Sequence, residues 1–242
     1  MRLASLRLDK LICDTGAASR KEAKSLIKSG RVLVNGAAAA PETKADPELD
    51  EVTLDGRRIL YKKYRYFMLN KPTGLVTATE DKRQSTVLDL FPPELRKLGL
   101  FPVGRLDKDT GGLLLITNDG DFAHRVISPK SEVWKQYYAV VEGIPDENDV
   151  SAFSSGITLA DGTKCLPAKL VPSGGSECRV FVMEGKYHQV RRMLASRGKP
   201  VKELKRLQIG GLPLDGELPE GQFRELNENE LCKVFIDIDN NN

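Results

Sequence analysis

A run of charged residues bounded by glycines, Gly104-Arg105-Leu106-Asp107-Lys108-Asp109-Thr110-Gly111-Gly112, abuts the apolar stretch Leu113-Leu114-Leu115-Ile116. Loops poised on rigid strands commonly hold reactive side chains. An aspartate there, with a reference pKa of about 3.9, is ionised near neutral pH and available as a nucleophile or base. By composition alone the same run reads more readily as a polar turn leading into a core strand, and Asn118-Asp119-Gly120 just beyond it reads as a plain turn. Two further segments have the same mixture of turn and charge. Asn70-Lys71-Pro72-Thr73-Gly74 ends a strand in a turn shaped by Pro and Gly, and Glu184-Gly185-Lys186-Tyr187-His188-Gln189-Val190-Arg191-Arg192-Met193 joins a strand to a helix through a basic, polar stretch.

Other chemistries find less support. The four cysteines, at 13, 165, 178 and 232, have no paired spacing, and His124 and His188 are the only histidines that could join them in a metal site. Neither a disulfide framework nor a zinc site is expected. There is no phosphate-cradling Gly-x-x-x-x-Gly-Lys-Ser/Thr and no dinucleotide Gly-x-Gly-x-x-Gly. An aspartate-dependent hydrolase would need a water-activating partner or a metal cluster, and no convincing set is present.

The elements that would carry these segments divide near residue 62. Leu8, Leu11 and Ile12 have the i, i+3, i+4 spacing of one helix face, and Ala23, Leu26 and Ile27 repeat it after a break at Gly16. Ser19 with Glu22 three residues on is a capping-box pattern that starts the second helix at Arg20, and Gly30 ends it. Arg31-Val32-Leu33-Val34 then meets Asn35-Gly36, a hairpin-turn dipeptide, and Val52-Thr53-Leu54, Asp55-Gly56 and Ile59-Leu60 suggest a closing hairpin. Residues 37–50 read as a loop of the small domain or as part of the connection. Beyond residue 62, strand-like runs such as 113–116, 137–141 and 179–183 alternate with helix-like segments at 121–127 and 188–197. This is the pattern of an α+β domain on a mainly antiparallel or mixed sheet. The acidic, Asn-rich end from Asp237 to Asn242 is expected to fray.

Charge is distributed unevenly over this plan. The whole chain carries +3, but residues 1–36 contain eight Arg or Lys against three Asp or Glu. Lys21, Lys24 and Lys28 fall at i, i+3 and i+7 on one helix face, with Arg20 and Arg31 close by. Such a stripe is either a solvated face or a polyanion-binding surface. The N-terminus mixes Arg2, Arg7 and Lys10 with Leu, unlike the apolar core of a signal peptide, and a soluble cytoplasmic protein is expected.

Taken in order, Arg7-Leu8-Asp9-Lys10-Leu11, Ser19-Arg20-Lys21-Glu22-Ala23 and Gly30-Arg31-Val32-Leu33-Val34-Asn35-Gly36 resemble a small RNA-binding module named after a small-subunit ribosomal protein. The three loop segments described first resemble the pseudouridine synthase family of the RsuA type, as do Tyr66-Phe67-Met68-Leu69-Asn70-Lys71-Pro72 and Leu204-Lys205-Arg206-Leu207-Gln208-Ile209-Gly210-Gly211. That resemblance spans nearly the whole chain. It implies an RNA-binding module over residues 1–62 and a catalytic domain over 63–236, acting on ribosomal RNA, with small-subunit 16S RNA favoured. Large-subunit 23S RNA and a noncatalytic ribosome-assembly factor are the alternatives. It further implies Asp107 as the catalytic aspartate, Arg191 as its cationic partner with Arg192 as rival, Tyr137 of Lys135-Gln136-Tyr137 stacked on the uracil, and Arg105 bracing the space that the flipped base vacates. Arg20, Lys21, Lys24, Lys28, Arg31, Lys71, Lys186, His188, Gln189 and Arg192 are the expected RNA contacts. The implied reaction keeps every atom of the nucleotide, so no cofactor or metal is expected, and no dimerisation stripe interrupts the expectation of a monomer.

Overall fold

Helices α1 (Leu8–Asp14) and α2 (Arg20–Lys28) open the chain. In the computed structural model, which describes residues 5–47 and 49–237, they belong to the first of two compact units. Leu8, Leu11, Ile12, Ala23 and Ile27 form the buried stripe between them. Ser19 caps α2 reciprocally: its Oγ accepts from the Glu22 amide, and Glu22 Oε2 accepts from the Ser19 amide at 2.8 Å. Strands β1 (Val32–Val34) and β2 (Val52–Leu54) pair antiparallel, each turning back at a dipeptide of positive φ, Asn35-Gly36 and Asp55-Gly56. The return strands are Ala37–Ala38 and Arg57–Arg58, so the second hairpin closes two residues earlier than Ile59-Leu60. Residues 37–50 are not all loop either, because Lys44–Ala45 pairs with Leu6–Arg7.

This unit extends to Arg65 and takes in a distant segment, Phe91–Leu100, which a single boundary at residue 62 does not describe. Arg20, Lys21, Lys24 and Lys28 are exposed, and Arg31 makes a two-pronged ion pair with Asp55 at 2.7 and 2.6 Å.

The second unit comprises Tyr66–Leu90 and the described residues from Phe101 on. The strands along its main path are β3 (Tyr66–Lys71), β4 (Gly111–Thr117), β5 (Lys135–Val141), β6 (Lys169–Gly174), β7 (Glu177–Val182), β8 (Val201–Ile209) and β9 (Phe223–Glu225), with Phe101–Pro102 and Leu212–Pro213 paired beside it. They form one sheet in the order β6-β7-β5-β8-β4-β3-β9, antiparallel throughout this path except where β8 runs parallel to β4. The mixed α+β architecture expected from the sequence is therefore observed. Helices α3 (Gly120–Ile127), α4 (Glu147–Ser155) and α5 (Gln189–Ser196) cover it. Phe122 and Val126 of α3 pack with Met68, Leu113 and Leu115, while Phe153 of α4 and Met193 and Leu194 of α5 pack with Ala139 and Val180.

Asn118-Asp119-Gly120 is more than a turn. Asp119 caps α3 by accepting from the Asp121 and Phe122 amides, and its other oxygen accepts from the Tyr66 hydroxyl at 2.6 Å. The expected frayed tail lies outside the described residues from position 238 on.

Candidate active site

The Asp107 loop enters β4 through Gly111 and Gly112, and buried groups fix its backbone. Lys71, the last residue of β3, has no exposed surface. Its Nζ donates to the carbonyls of Thr110 (2.9 Å), Pro72 (3.0 Å), Asp107 (3.2 Å) and Lys108 (3.4 Å). An ammonium has three N–H groups, so one is shared between acceptors. The Gly74 amide donates to the Lys108 carbonyl at 2.7 Å, and the Thr77 hydroxyl both donates to and accepts from the backbone of Leu106. Burial pushes the Lys71 ammonium down to about 8, against the pull of Asp109 and Asp107 in the other direction. The expectation that Lys71 contacts RNA is corrected: a lysine enclosed by four carbonyls braces the loop from beneath and cannot reach solvent.

The Asp107 carboxylate itself is about a quarter exposed, with two cationic or ionisable groups beside it. Arg191 Nε lies 3.9 Å from Oδ2 and His188 Nε2 lies 3.5 Å from Oδ1. Arg191, on the first turn of α5, is anchored by the Asp109 carbonyl and carboxylate, both at 3.1 Å, and by the Val201 carbonyl. That leaves its Nε buried with no hydrogen-bond acceptor. Arg192 faces elsewhere, paired with Asp161 at 2.6 Å. Geometry thus selects Arg191 over Arg192 as the cation beside Asp107. His188 sits just before α5 at φ +46°, a conformation that costs a non-glycine residue on the order of 1–3 kcal/mol, and its ring stacks on Tyr187.

In front of the carboxylate opens a cleft of about 700 Å³, lined by Arg105, Asp107, Lys135, Tyr137, His188 and Arg206 among others. Arg105 is exposed at this cleft, as a residue meeting RNA must be. Lys186 also lines it, but its Nζ is held by Glu184 at 2.7 Å and by the Lys164 carbonyl. Gln189 is buried, its amide bonded to Glu184 Oε1 and its carbonyl to the Lys186 amide. Its expected RNA contact is therefore corrected to a bracket inside the protein.

Lys135 and Arg206 are cleft residues to which the sequence reading gave no role. The available signal was periodicity: Arg206 occupies an inward position of β8 two residues after buried Leu204, where an apolar side chain is the ordinary choice. Tyr137 and Arg206 are direct partners across β5 and β8, next to an irregularity in register at Gln136/Tyr137. Arg206 Nε donates to the Leu113 carbonyl at 2.7 Å, and its Nη1 reaches the Tyr137 hydroxyl at 3.4 Å.

A loop aspartate held from below, flanked by Arg191 and fronted by a cleft with a tyrosine, is geometry that comparison can test. Residues 65–196 match the RNA pseudouridylate synthase family and residues 6–52 match the S4 domain. An uncharacterized RNA pseudouridine synthase of Bacillus subtilis is 44% identical, over 93% of this chain and 97% of its own length. Ribosomal small subunit pseudouridine synthase A of Pseudomonas aeruginosa is 40% identical (95% and 100%), and ribosomal large subunit pseudouridine synthase B of Bacillus subtilis is 38% identical (94% and 95%). A crystal structure of a pseudouridylate synthase aligns with a TM-score of 0.68 at 36% identity, covering 95% of this chain and all of the other. With the fold, the cleft and both sequence matches in agreement, the chain belongs to the RNA pseudouridylate synthase family, as an RsuA-type member that carries an S4 domain.

Proposed function

We propose that this protein isomerises one uridine of small-subunit 16S ribosomal RNA to pseudouridine, with Asp107 as the catalytic residue. The observation that carries the reading is the Asp107 carboxylate, partly open to a cleft large enough for a nucleoside and flanked by Arg191 and His188. A target uridine leaves its stack at a cost of a few kcal/mol, roughly, and enters the cleft. Tyr137 supports the base by stacking, and Arg105 braces the RNA at the mouth. Arg191 holds Asp107 in position and sets a positive charge beside its carboxylate while the bond from ribose C1′ to uracil N1 breaks, the base turns, and C5 takes its place.

The S4 unit captures RNA through Arg20, Lys21, Lys24, Lys28 and Arg31, so that the catalytic unit searches at high effective concentration. In this reading His188 and Lys186 contact the RNA at the cleft, and Arg192 contacts it outside the cleft, where it pairs with Asp161 in the free protein. The protein acts as a monomer in the cytoplasm, on free RNA or a partly assembled subunit. Small-subunit RNA is favoured by the 40% identity to a small subunit enzyme over that enzyme's full length. The second reading, large-subunit 23S RNA, is favoured by the 38% identity to a large subunit enzyme. Incubation of the protein with undermodified 16S and 23S RNA, followed by mapping of pseudouridine at single-nucleotide resolution, separates them. One new pseudouridine in 16S RNA is expected; a product confined to 23S RNA selects the alternative, and no product in either refutes both.

A further inference from the structure

The cleft holds two buried cations with no carboxylate partner among the described residues. Arg206 is 4% exposed and Lys135 7%, both line the cleft, and neither is within ion-pair distance of a carboxylate among the described residues. Lys135 donates to one acceptor, the Met183 carbonyl. Arg206 uses Nε and Nη1 on Leu113 and Tyr137, while Nη2 is buried with no acceptor. Burial and the nearby guanidinium together push Lys135 down to about 8. A buried, unpaired guanidinium N–H costs stability, and such groups persist in native proteins where a ligand or a catalytic task satisfies them. On β5, Lys135 and Tyr137 are two residues apart and face the same side, and Tyr137 is the direct cross-strand partner of Arg206. The three side chains therefore line one cleft, with the Arg206 guanidinium 5.9 Å from the centre of the Tyr137 ring.

We infer that Arg206 and Lys135 form an anion site for the uracil ring itself, holding the negative charge that the base carries while it is detached from the ribose. The inference rests on the uridine-isomerisation reading of this cleft. Heterolysis of the C1′–N1 bond sends its electron pair onto uracil, where N1, O2 and O4 share the charge, and leaves an electron-deficient C1′ facing the Asp107 carboxylate. Formation of the C1′–C5 bond consumes that pair, after which C5 releases its proton and N1 gains one. Preorganised donors aimed at charge that exists only during the reaction lower the barrier without tightening ground-state binding. A phosphate would be met at the mouth by exposed Arg105, whereas the buried pair lies where the base enters.

The probe is 5-nitrouracil, an analogue of the flipped base that carries a nitro group on C5 and whose acidic N–H makes it an anion at neutral pH, compared with neutral uracil. The wild type is expected to bind 5-nitrouracil about tenfold or more tightly than uracil. Arg206→Met and Lys135→Met should each shrink that preference to about twofold, and Arg206→Lys should retain part of it. In single turnover at saturating RNA, Arg206→Met should slow pseudouridine formation by about 10²-fold with unchanged RNA affinity. Equal wild-type affinity for the two bases overturns the inference. So does an Arg206→Met protein that loses both bases equally together with thermal stability, the signature of a brace for Leu113 and Tyr137 alone. A wild type that makes no pseudouridine in any ribosomal RNA refutes the proposed function, while the base-binding comparison still decides the anion site.

Discussion

At Asp107 and Lys71 the division between doing chemistry and holding the chemist in place is visible in single atoms. Asp107 presents its carboxylate to the cleft, while its backbone carbonyl belongs to the Lys71 cage. Asp107→Asn preserves shape and removes the charge. It should bind RNA with affinity within about twofold of wild type and form product about 10³-fold or more slowly if Asp107 is the catalytic carboxylate proposed above. Substantial retained turnover in a single-turnover assay would remove Asp107 from the chemical step. Lys71→Met makes the opposite kind of change, since it leaves four carbonyls short of a donor. A loss of about 1–3 kcal/mol in chemical denaturation is expected, together with slowed turnover and preserved RNA capture. The pH dependence has a definite sign. Because Lys71 falls from 10.5 when unfolded to about 8 when folded, the unfolded chain holds more protons between those values, and this group's contribution to stability rises with pH across that window. Lys135 has the same sign, so Lys71→Met should flatten the rise without abolishing it.

At the scale of elements, the decisive feature is the parallel pairing within the sheet, β4 beside β8, which brings the Asp107 loop against Arg206. Gly112 makes it possible. A methyl group there would stand 2.2 Å from the Arg206 carbonyl, and the residue lies at φ +96°. Gly112→Ala should therefore cost about 2–3 kcal/mol and spread the two strands, whereas Gly111→Ala, whose added carbon meets the Lys71 carbonyl at 3.2 Å, should be milder. Thermal melts of the two variants, with pseudouridine assays at a temperature where both are folded, check the ranking. This pairing also marks where sequence reading stopped. The capping box at Ser19, the Asn35-Gly36 turn and helices α3 and α5 are local patterns and were legible residue by residue. Asp107, Tyr137 and Arg191 were reached only through resemblance of their segments to a family. Lys71 and Gln189 were misread because a polar residue at a turn carries no local mark of burial, and Arg206 was passed over although its inward place in the alternation of β8 was a signal. The partners that make burial tolerable lie tens of residues away: Thr110 for Lys71 and Leu113 for Arg206.

Over the whole molecule, the charge imbalance noticed in the first 36 residues becomes a statement about how RNA is captured. Within the S4 unit, Lys21, Lys24 and Lys28 stand exposed on α2, a helix whose start is fixed by the Ser19–Glu22 cap and whose buried face is Ala23 and Ile27. Reversing all three to Glu should cost only about 1–2 kcal/mol of stability, since exposed substitutions ordinarily alter it by no more than about 0.5 kcal/mol each. RNA binding should respond very differently, because each phosphate neutralised by a lysine releases a counterion. A plot of log affinity against log salt concentration should lose about 0.7 to 0.9 in slope per lost contact, hence about 2 to 3 for the triple reversal. Turnover on full-length ribosomal RNA should fall with affinity at low RNA concentration and recover as RNA is raised, because the Asp107 cleft is untouched. An unchanged salt slope in the reversed protein would mean that this face is merely solvated, and that capture depends on other surfaces of the chain.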